Sequence, residues 1–161
     1  GVLESSVDQA LALEPAVLEK IVYESVAIKA DIVNRDEREH NERRKLNFGH
    51  TLGHAIEKTA GVSHGAAVSA GMSAAARFSV KKGYMSSSEA ARLENLLVKL
   101  GLPVSIPADF NKVTDALARD KKRREDSIHF VLLAGLGKSF VKPLALSELE
   151  KMLSSEGVIS R

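Results

Sequence analysis

The sequence contains no cysteine, and aromatic residues occupy only 4% of its 161 positions. The absence of cysteine excludes disulfides and thiolate metal ligands, so a metal site would need imidazole and carboxylate groups. The scarcity of aromatic side chains argues against a surface on which nucleic-acid bases could stack. A chain without cysteine also suits a reducing compartment, and the cytoplasm is the localisation that we expect.

An excess of charge of one sign is missing as well, because 23 Lys and Arg side chains are balanced by 21 Asp and Glu, for a formal charge of +2. Nucleic-acid binding driven by phosphate contacts needs a clear basic excess. No stretch reaches the roughly 18 consecutive apolar residues of a membrane span. Residues 1–9 lack the basic start and apolar run of a signal peptide. We therefore expect neither nucleic acid nor a membrane as a partner.

Helical patterns dominate the first half of the chain. Apolar residues recur at helical spacing over 14–33, and Pro15 suits the first turn of that helix. A second helix is predicted over 46–59, with Gly61 ending it. Small residues are so frequent over 65–81 that a neighbouring backbone could approach closely, which predicts a central, buried helix.

Helix start and stop signals continue after this small-residue segment. Ser86 and Glu89 have the spacing of a capping box, and Gly101 ends the helix that they begin. Asp109 can cap a short helix that extends to about Arg119.

Two β-strands are predicted in the C-terminal region. Residues 128–144 are two short β runs joined by a glycine-containing turn, and Ser147 with Glu150 repeats the capping-box spacing for a last helix. The predicted fold is mainly α, a multi-helix domain with one short β-hairpin. We expect a single domain over 1–161, since neither a repeat nor a low-complexity linker divides the chain.

Three histidines form the main candidate site. His50 and His54 are four residues apart and so share one side of a helix, where one metal ion or one anion could touch both. A zinc-protease motif is excluded, because Thr51 stands where that motif requires Glu. The pair alone fits metal ligands and core imidazoles equally well. His64, just before Gly65 at the start of the small-residue helix, favours a ligand site.

Several separated segments carry a resemblance to a known family. They are "IKADIV" (28–33), "RRKLNFGHTLGHAIE" (43–57), "HGAAVSAGM" (64–72), "DKK" (120–122) and "FVLLAGLGK" (130–138). In their order and spacing these segments resemble the C-terminal domain of the 3-dehydroquinate synthase family, a group of sugar-phosphate cyclases. The resemblance extends over nearly the whole chain.

The resemblance implies a lyase of the shikimate pathway, which serves chorismate and aromatic amino acid biosynthesis. Enzymes of that family convert 3-deoxy-D-arabino-heptulosonate 7-phosphate into 3-dehydroquinate and phosphate, with a divalent metal (zinc or cobalt) and NAD. A substrate hydroxyl is oxidised transiently, phosphate is eliminated, the ketone is reduced again, and the ring closes in an aldol step. The resemblance also implies a homodimer for the full-length enzyme.

The resemblance assigns roles to individual residues. It makes His50 and His64 the metal ligands, whereas His54, which spacing alone would pair with His50, assists proton movement on the substrate side. Lys29 and Arg43 join His54 as catalytic residues. The positions implied for binding the carboxylate and phosphate of the substrate are Lys29, Arg43, Asn47, His54 and one lysine of the pair Lys121 and Lys122, between which the motif does not decide.

Each of these polar side chains also has an ordinary structural explanation. Asn47 could cap the following helix, and Lys29 could extend over apolar surface at a helix end. The basic run 120–126 would by default be a solvated loop. Glu39 could orient Arg43 or simply be solvated.

Parts of the family pattern are missing. Its third metal ligand is a glutamate in a "GxAExxK" segment, which residues 1–15 do not contain, and Glu4 stands in another context. The segment "GLGKSF" (135–140) lies in the predicted hairpin and does not form a glycine-rich loop after a strand. We therefore expect NAD to be bound mainly by an N-terminal α/β domain that this chain lacks, and the chain alone to be inactive. Ala66 also replaces the Glu that the family usually has after "HG".

Two other interpretations stay open. The chain could come from a related cyclase that acts on a different sugar phosphate, such as a 2-deoxy-scyllo-inosose or epi-valiolone synthase. It could also be a non-catalytic helical metal-binding module that kept the histidines.

Overall fold

The computed structural model describes residues 1–37, 42–124, 127–155 and 159–160, with the backbone alone for 120–124, 155 and 159–160. The helices are α1 (Val2–Ser5), α2 (Val7–Leu11), α3 (Pro15–Arg35), a 3-10 helix (Arg43–Asn47), α4 (His50–Ala60), α5 (His64–Lys81), α6 (Ser87–Lys99), α7 (Phe110–Arg124) and α8 (Leu146–Ser155). The strands are β1 (Ile106–Pro107), β2 (Ile128–Gly135), β3 (Lys138–Leu144) and β4 (Ile159–Ser160).

The two long strands form the predicted hairpin. Strands β2 and β3 pair antiparallel, with Ile128 opposite Leu144 and Leu133 opposite Ser139. The pairing register shifts between Leu133 and Gly135. Gly135 has a φ of +140°, a backbone conformation that glycine adopts readily. The short strands β1 and β4 add a two-residue parallel pairing that was not predicted. A mainly helical fold with one antiparallel hairpin is thus confirmed.

Helices α4 and α5 approach each other through glycines. A Cβ atom added to Gly71 would collide with the carbonyl oxygen of Gly49, and one added to Gly53 would lie 3.0 Å from the Cα of Val68. Real Cβ atoms do not tolerate the first of these contacts and seldom the second. The predicted close approach to the small-residue helix is therefore confirmed.

The hydrophobic core is built around α5. The buried core residues come from α5 itself and from α4, α7, α8 and the hairpin. They include Leu52, Ile56, Ala67, Ala70, Ala74, Ala75, Val113, Leu132, Leu144 and Leu149. Because the buried faces of α5 consist mainly of alanine, serine and glycine, larger side chains from its neighbours fill the space around it. The helix is central and buried, as the sequence predicts.

The predicted helix over 46–59 is wrong at its start. Residues 43–47 form a separate 3-10 helix, and α4 begins at His50. Gly49 separates the two with a φ of +78°, a left-handed conformation that does not continue a right-handed helix. The predicted end at Gly61 is confirmed, since that residue is the left-handed C-cap of α4.

Two of the predicted helix caps are confirmed. The Ser86 hydroxyl accepts a hydrogen bond from the backbone N–H of Glu89, whose carboxylate accepts from the backbone N–H of Ser86. The carboxylate of Asp109 accepts hydrogen bonds from the backbone N–H groups of Asn111 and Lys112. Both caps satisfy helix N–H groups that lack an intrahelical partner.

Two other boundary predictions are wrong. Helix α7 extends to Arg124, beyond the predicted end at Arg119, so the basic run is helical to that point and not a loop. Helix α8 begins at Leu146, which places Ser147 inside its first turn. The backbone carbonyl of Ala145 accepts from the N–H groups of Glu148 and Leu149, so a backbone group begins this helix.

Within the described residues, every helix is too short or too polar to cross a membrane. The single-domain division over 1–161 stays a prediction.

Candidate metal centre

Three imidazole rings meet at the junction of α4 and α5. The ring centroids of His50 and His54 lie 5.6 Å apart, those of His50 and His64 5.4 Å, and those of His54 and His64 5.6 Å. Two imidazoles that share one zinc ion, at about 2.0–2.1 Å from each nitrogen, have centroids at roughly this separation. The predicted convergence of the three histidines is thus seen in the structure.

The connection between the two helices explains how His64 reaches the α4 pair. Gly61 ends α4 in the left-handed conformation, and α5 begins at His64 only two residues later. The hydroxyl of Ser63 accepts a hydrogen bond from the backbone N–H of Ala66 and caps the new helix. This sharp reversal places His64, the first residue of α5, beside the face of α4 that carries His50 and His54.

Two of the three imidazoles have a defined tautomer. The Nδ1 atom of His50 lies 3.1 Å from the carbonyl oxygen of Phe48, and the Nδ1 atom of His64 lies 3.0 Å from Oε2 of Glu57. A carbonyl and a carboxylate oxygen can only accept hydrogen bonds, so each Nδ1 must donate its proton. In the neutral ring this leaves the lone pair on Nε2, the atom that can bind a metal ion.

Glu57 is the site residue that the sequence reasoning missed. It lies three residues after His54, hence on the same side of α4, and this helical spacing was the signal that could have found it. Its hydrogen bond with His64 holds the pKa of the Glu57 carboxyl below its usual range. Glu57 therefore adds a negatively charged carboxylate to the group of three imidazoles.

His54 differs from its two neighbours. Among the described residues, none forms a hydrogen bond with its ring nitrogens. Partial desolvation lowers the pKa of His54, and the nearby rings of His50 and His64 lower it further when they carry a proton. Its neutral form is therefore favoured at neutral pH.

The donor atoms present fit a zinc or cobalt ion. One ligand atom from each of His54, Glu57 and His64 lies within 4.8 Å of the other two, and His50 and His64 each keep Nε2 available. Imidazole nitrogen and carboxylate oxygen are ligands that both metals accept. Two ligand sets are thus possible, one centred on His50 with His64 and the other on His54, Glu57 and His64.

The other predicted site residues are not joined to the imidazoles by a contact among the described side chains. Lys29 and Asn47 are exposed. The backbone N–H of Arg43 donates to the carboxylate of Asp36 over 3.1 Å, and its guanidinium donates to the carbonyl oxygen of Glu37 over 3.2 Å. Their roles in binding the substrate stay predictions.

Some predicted residues fall where the structure gives no side chain. The side chains of Lys121 and Lys122, and the whole of Glu39, lie outside the described residues. Glu4 is described, and its carboxylate pairs with the guanidinium of Arg92 over 2.5 Å. That contact with α6 agrees with the expectation that Glu4 is not the missing metal ligand.

The segment 135–140 belongs to the β2–β3 hairpin, as predicted. The backbone N–H of Leu136 in its turn donates to the Glu89 carboxylate over 3.1 Å. A dinucleotide site of the Rossmann type needs a glycine-rich loop between a strand and a helix. This segment therefore does not fit NAD.

Comparison with protein families gives a match over most of the chain. Residues 1–123 match the family described as "3-dehydroquinate synthase C-terminal". The 3-dehydroquinate synthase of Dehalococcoides mccartyi (strain CBDB1) is 43% identical over 159 residues, which cover 93% of this chain and 44% of that relative. The 3-dehydroquinate synthase of Thermoanaerobacter pseudethanolicus is 41% identical over 156 residues, 94% of this chain and 44% of that relative. The chain therefore spans less than half the length of these relatives.

Solved structures with the same fold are also known. A 2-deoxy-scyllo-inosose synthase in complex with carbaglucose-6-phosphate, NAD+ and Co2+ matches 89% of this chain and 43% of its own, with a TM-score of 0.76 and 28% identity. The 2-epi-5-epi-valiolone synthase of Streptomyces hygroscopicus subsp. jinggangensis 5008, with NAD+ and Zn2+ bound, matches 96% of this chain and 45% of its own, with a TM-score of 0.82 and 25% identity.

Proposed function

The chain belongs to the 3-dehydroquinate synthase family, and from this membership we propose that it is the metal- and substrate-binding part of such an enzyme. The proposed reaction converts 3-deoxy-D-arabino-heptulosonate 7-phosphate into 3-dehydroquinate and phosphate. The observation that carries the proposal is the pair of hydrogen bonds from Nδ1 of His50 and of His64, which leaves Nε2 available in two rings whose centroids lie 5.4 Å apart.

His50 and His64 are the proposed metal ligands. A ligating histidine usually donates its second ring N–H to a carbonyl or carboxylate, and these two residues make such hydrogen bonds. The relatives of known structure were solved with Co2+ or Zn2+, and either ion suits the donors present. When bound, the ion would act as a Lewis acid that lowers the pKa of a coordinated substrate hydroxyl.

His54 is the proposed proton carrier on the substrate side. Because its pKa is lowered, its ring is neutral at pH 7 and can accept a proton from a substrate oxygen. No described hydrogen bond holds its ring nitrogens. This freedom distinguishes His54 from the two imidazoles that are fixed for metal binding.

The remaining proposed contacts recognise the two anionic groups of the substrate. The Arg43 guanidinium donates to one backbone carbonyl in the structure, and its other N–H groups can bind a carboxylate bidentately. Lys29 and Asn47 are exposed and so accessible to a ligand. One lysine of the pair Lys121 and Lys122 completes the proposed set as a cation that contacts the substrate.

Sequence identity favours this substrate over those of the related cyclases. The two 3-dehydroquinate synthases are 41–43% identical to the chain, whereas the two solved cyclases of other specificity are 25–28% identical. We therefore retain a different sugar-phosphate cyclase, or a non-catalytic metal-binding module, only as alternatives for the experiment to decide.

NAD binding is assigned to the part of the enzyme outside this chain, because the chain's glycine-rich segment forms a hairpin turn. The isolated chain should therefore be inactive. A homodimeric, cytoplasmic full-length enzyme stays part of the same proposal.

The test uses a hybrid enzyme, in which this chain replaces the matching region of the Dehalococcoides mccartyi 3-dehydroquinate synthase. With Zn2+ and NAD, the hybrid should release phosphate from 3-deoxy-D-arabino-heptulosonate 7-phosphate, and its His50→Ala variant should not. Phosphate release from glucose 6-phosphate alone would favour a 2-deoxy-scyllo-inosose synthase. A folded hybrid that binds zinc and is inactive with both substrates would contradict the proposed reaction and leave a cyclase for another sugar phosphate or the non-catalytic module.

A further inference from the structure

The turn before α4 is defined by the backbone angles of two consecutive residues. Phe48 has a φ of −56° and a ψ of 124°, and Gly49 has a φ of +78° and a ψ of −19°. These are the dihedral angles of the two central residues of a type II turn. In that turn the peptide between the central residues is rotated by roughly half a revolution relative to the common type I turn, so its carbonyl group points the opposite way.

The reversed carbonyl group is the one that meets His50. It belongs to Phe48, and its oxygen accepts a hydrogen bond from Nδ1 of His50 over 3.1 Å. A type I turn at the same residues would direct this oxygen away from the imidazole. The hydrogen bond that leaves Nε2 of His50 available therefore depends on the conformation of the turn.

Gly49 is required for this turn for two reasons. Its φ of +78° lies in the left-handed region, which glycine enters without the steric cost that other residues incur. The packing around it also excludes a side chain, because an added Cβ atom would lie 2.7 Å from the carbonyl oxygen of Val68 and 2.9 Å from the backbone nitrogen of Met72. Both the angle and the space at position 49 thus favour glycine.

Helix α5 fixes the position of this glycine. The carbonyl oxygen of Gly49 lies so close to Gly71 that a Cβ atom added there would collide with it. The residues of α5 around Gly49 are thus Val68, Gly71 and Met72, which follow His64 by four, seven and eight positions. These spacings place all four on one side of the helix. One side of α5 therefore carries one imidazole and positions the turn that orients another.

We propose that Gly49 is a positioning residue for the metal site, because its left-handed turn directs the Phe48 carbonyl to Nδ1 of His50 and so presents Nε2 to a zinc or cobalt ion. This inference rests on the proposed function in one respect, the role of His50 as a metal ligand. Hydrogen bonds that orient a ligand usually change metal affinity by about 10–100-fold when they are lost. The backbone supplies this one, so no polar side chain marks it in the sequence.

The tautomer of His50 in the metal-free chain tests the first step. At a pH of about 8.5, well above the usual pKa of histidine, an imidazole is neutral, and long-range 1H–15N spectra distinguish the Nδ1–H form from the Nε2–H form. The His50→Gln variant identifies the signals of His50. The native chain should show mainly Nδ1–H at this residue. Mainly Nε2–H would overturn the proposal, whichever variants fold.

Gly49→Ala should disturb this tautomer, and Gly53→Ala is the matched control. A Cβ atom added to Gly53 also meets α5, 3.0 Å from the Cα of Val68, but Gly53 lies inside α4 and outside the turn. Gly49→Ala should give a mixture of tautomers at His50 and about 10–100-fold weaker zinc binding in calorimetry. Gly53→Ala should lower the melting temperature and keep the Nδ1–H form. A folded Gly49→Ala protein that keeps this form would contradict the positioning role.

A milder variant guards against a Gly49→Ala protein that does not fold. Asparagine adopts the left-handed conformation more readily than alanine, yet its Cβ atom meets the same backbone atoms of Val68 and Met72. Gly49→Asn should therefore fold, show some Nε2–H at His50, and bind zinc several-fold more weakly than Gly53→Ala. The same tautomer and the same affinity in these two variants would overturn the proposal.

The outcomes separate the positioning role from the proposed function. The tautomer is read in the metal-free chain, so it depends on neither substrate nor NAD. The expected tautomers and zinc affinities, together with an inactive hybrid enzyme, would support the positioning role and contradict the function. An active hybrid, with the His50 tautomer and the zinc affinity unchanged by Gly49→Ala, would overturn the positioning role and leave the function.

Discussion

The Nδ1 atom of His64 lies 3.0 Å from Oε2 of Glu57, a hydrogen bond between the first residue of α5 and the last full turn of α4. Both side chains are partly open to solvent, at 51% for His64 and 36% for Glu57. Exposed pairs of this kind contribute little to folding. Their contact therefore serves mainly to orient the imidazole, and its loss should be visible in metal binding rather than in stability.

Glu57→Gln should weaken zinc binding by about 10–100-fold, because a neutral amide holds the His64 tautomer less firmly. Calorimetric titration at pH 7.5 measures the affinity. Glu19→Gln, an exposed acid on α3, is the control and should leave it unchanged. An affinity equal to that of the native chain would show that Glu57 does not orient a ligand.

His50→Ala and His64→Ala should each abolish zinc binding in the same titration, whereas His54→Ala should change it only a few-fold. The reason is that His50 and His64 have Nδ1 engaged and Nε2 available. In the active hybrid, His54→Ala should instead slow turnover. If His54→Ala removed the metal and His50→Ala did not, the ligand set would be His54, Glu57 and His64.

The metal-free chain should lose stability as the pH falls from 7.5 to 5.5, with a contribution from His54. Its pKa in the folded state is lowered, so below about 6.5 the unfolded chain binds this proton more readily and is favoured. Above that pH both states are neutral and the effect vanishes. Between pH 7.5 and pH 5.5, the melting temperature measured in EDTA should therefore fall less for His54→Gln than for the native chain. The same fall in both would exclude this contribution.

Gly71→Ala should destabilise the fold by about 1–3 kcal/mol or more, because the new methyl group would collide with the backbone of Gly49. Gly65→Ala is the control in the same helix, since its added Cβ has no atom within 4 Å. That change should stabilise the helix by up to about 1 kcal/mol. Urea unfolding measures both variants, and a tolerated Gly71→Ala would contradict the close approach of α4 and α5.

Ala66→Glu should tighten zinc binding several-fold. Position 66 lies in the first turn of α5, two residues after His64, where a carboxylate interacts favourably with the helix dipole and with a nearby cation. Ala66→Gln has a similar size without the charge and should have little effect on calorimetric affinity. If both variants bound zinc equally, charge at this position would not tune the site.

Much of the fold could be predicted because its signals are local. The capping contacts of Ser86 and Asp109 and the left-handed Gly61 act within one helical turn. The start of α4 could not be predicted in this way. The left-handed turn at Gly49 places its backbone against α5, a contact with residues 19 to 23 positions later.

The sequence by itself determined that the metal donors must be imidazoles and carboxylates, since it has no cysteine, and that His50 and His54 share a helix face. The tertiary structure decided which nitrogen of His50 and of His64 is free. A ring nitrogen becomes available when the other donates to an acceptor, and for His64 the chain reversal after Gly61 brings Glu57 close enough to accept.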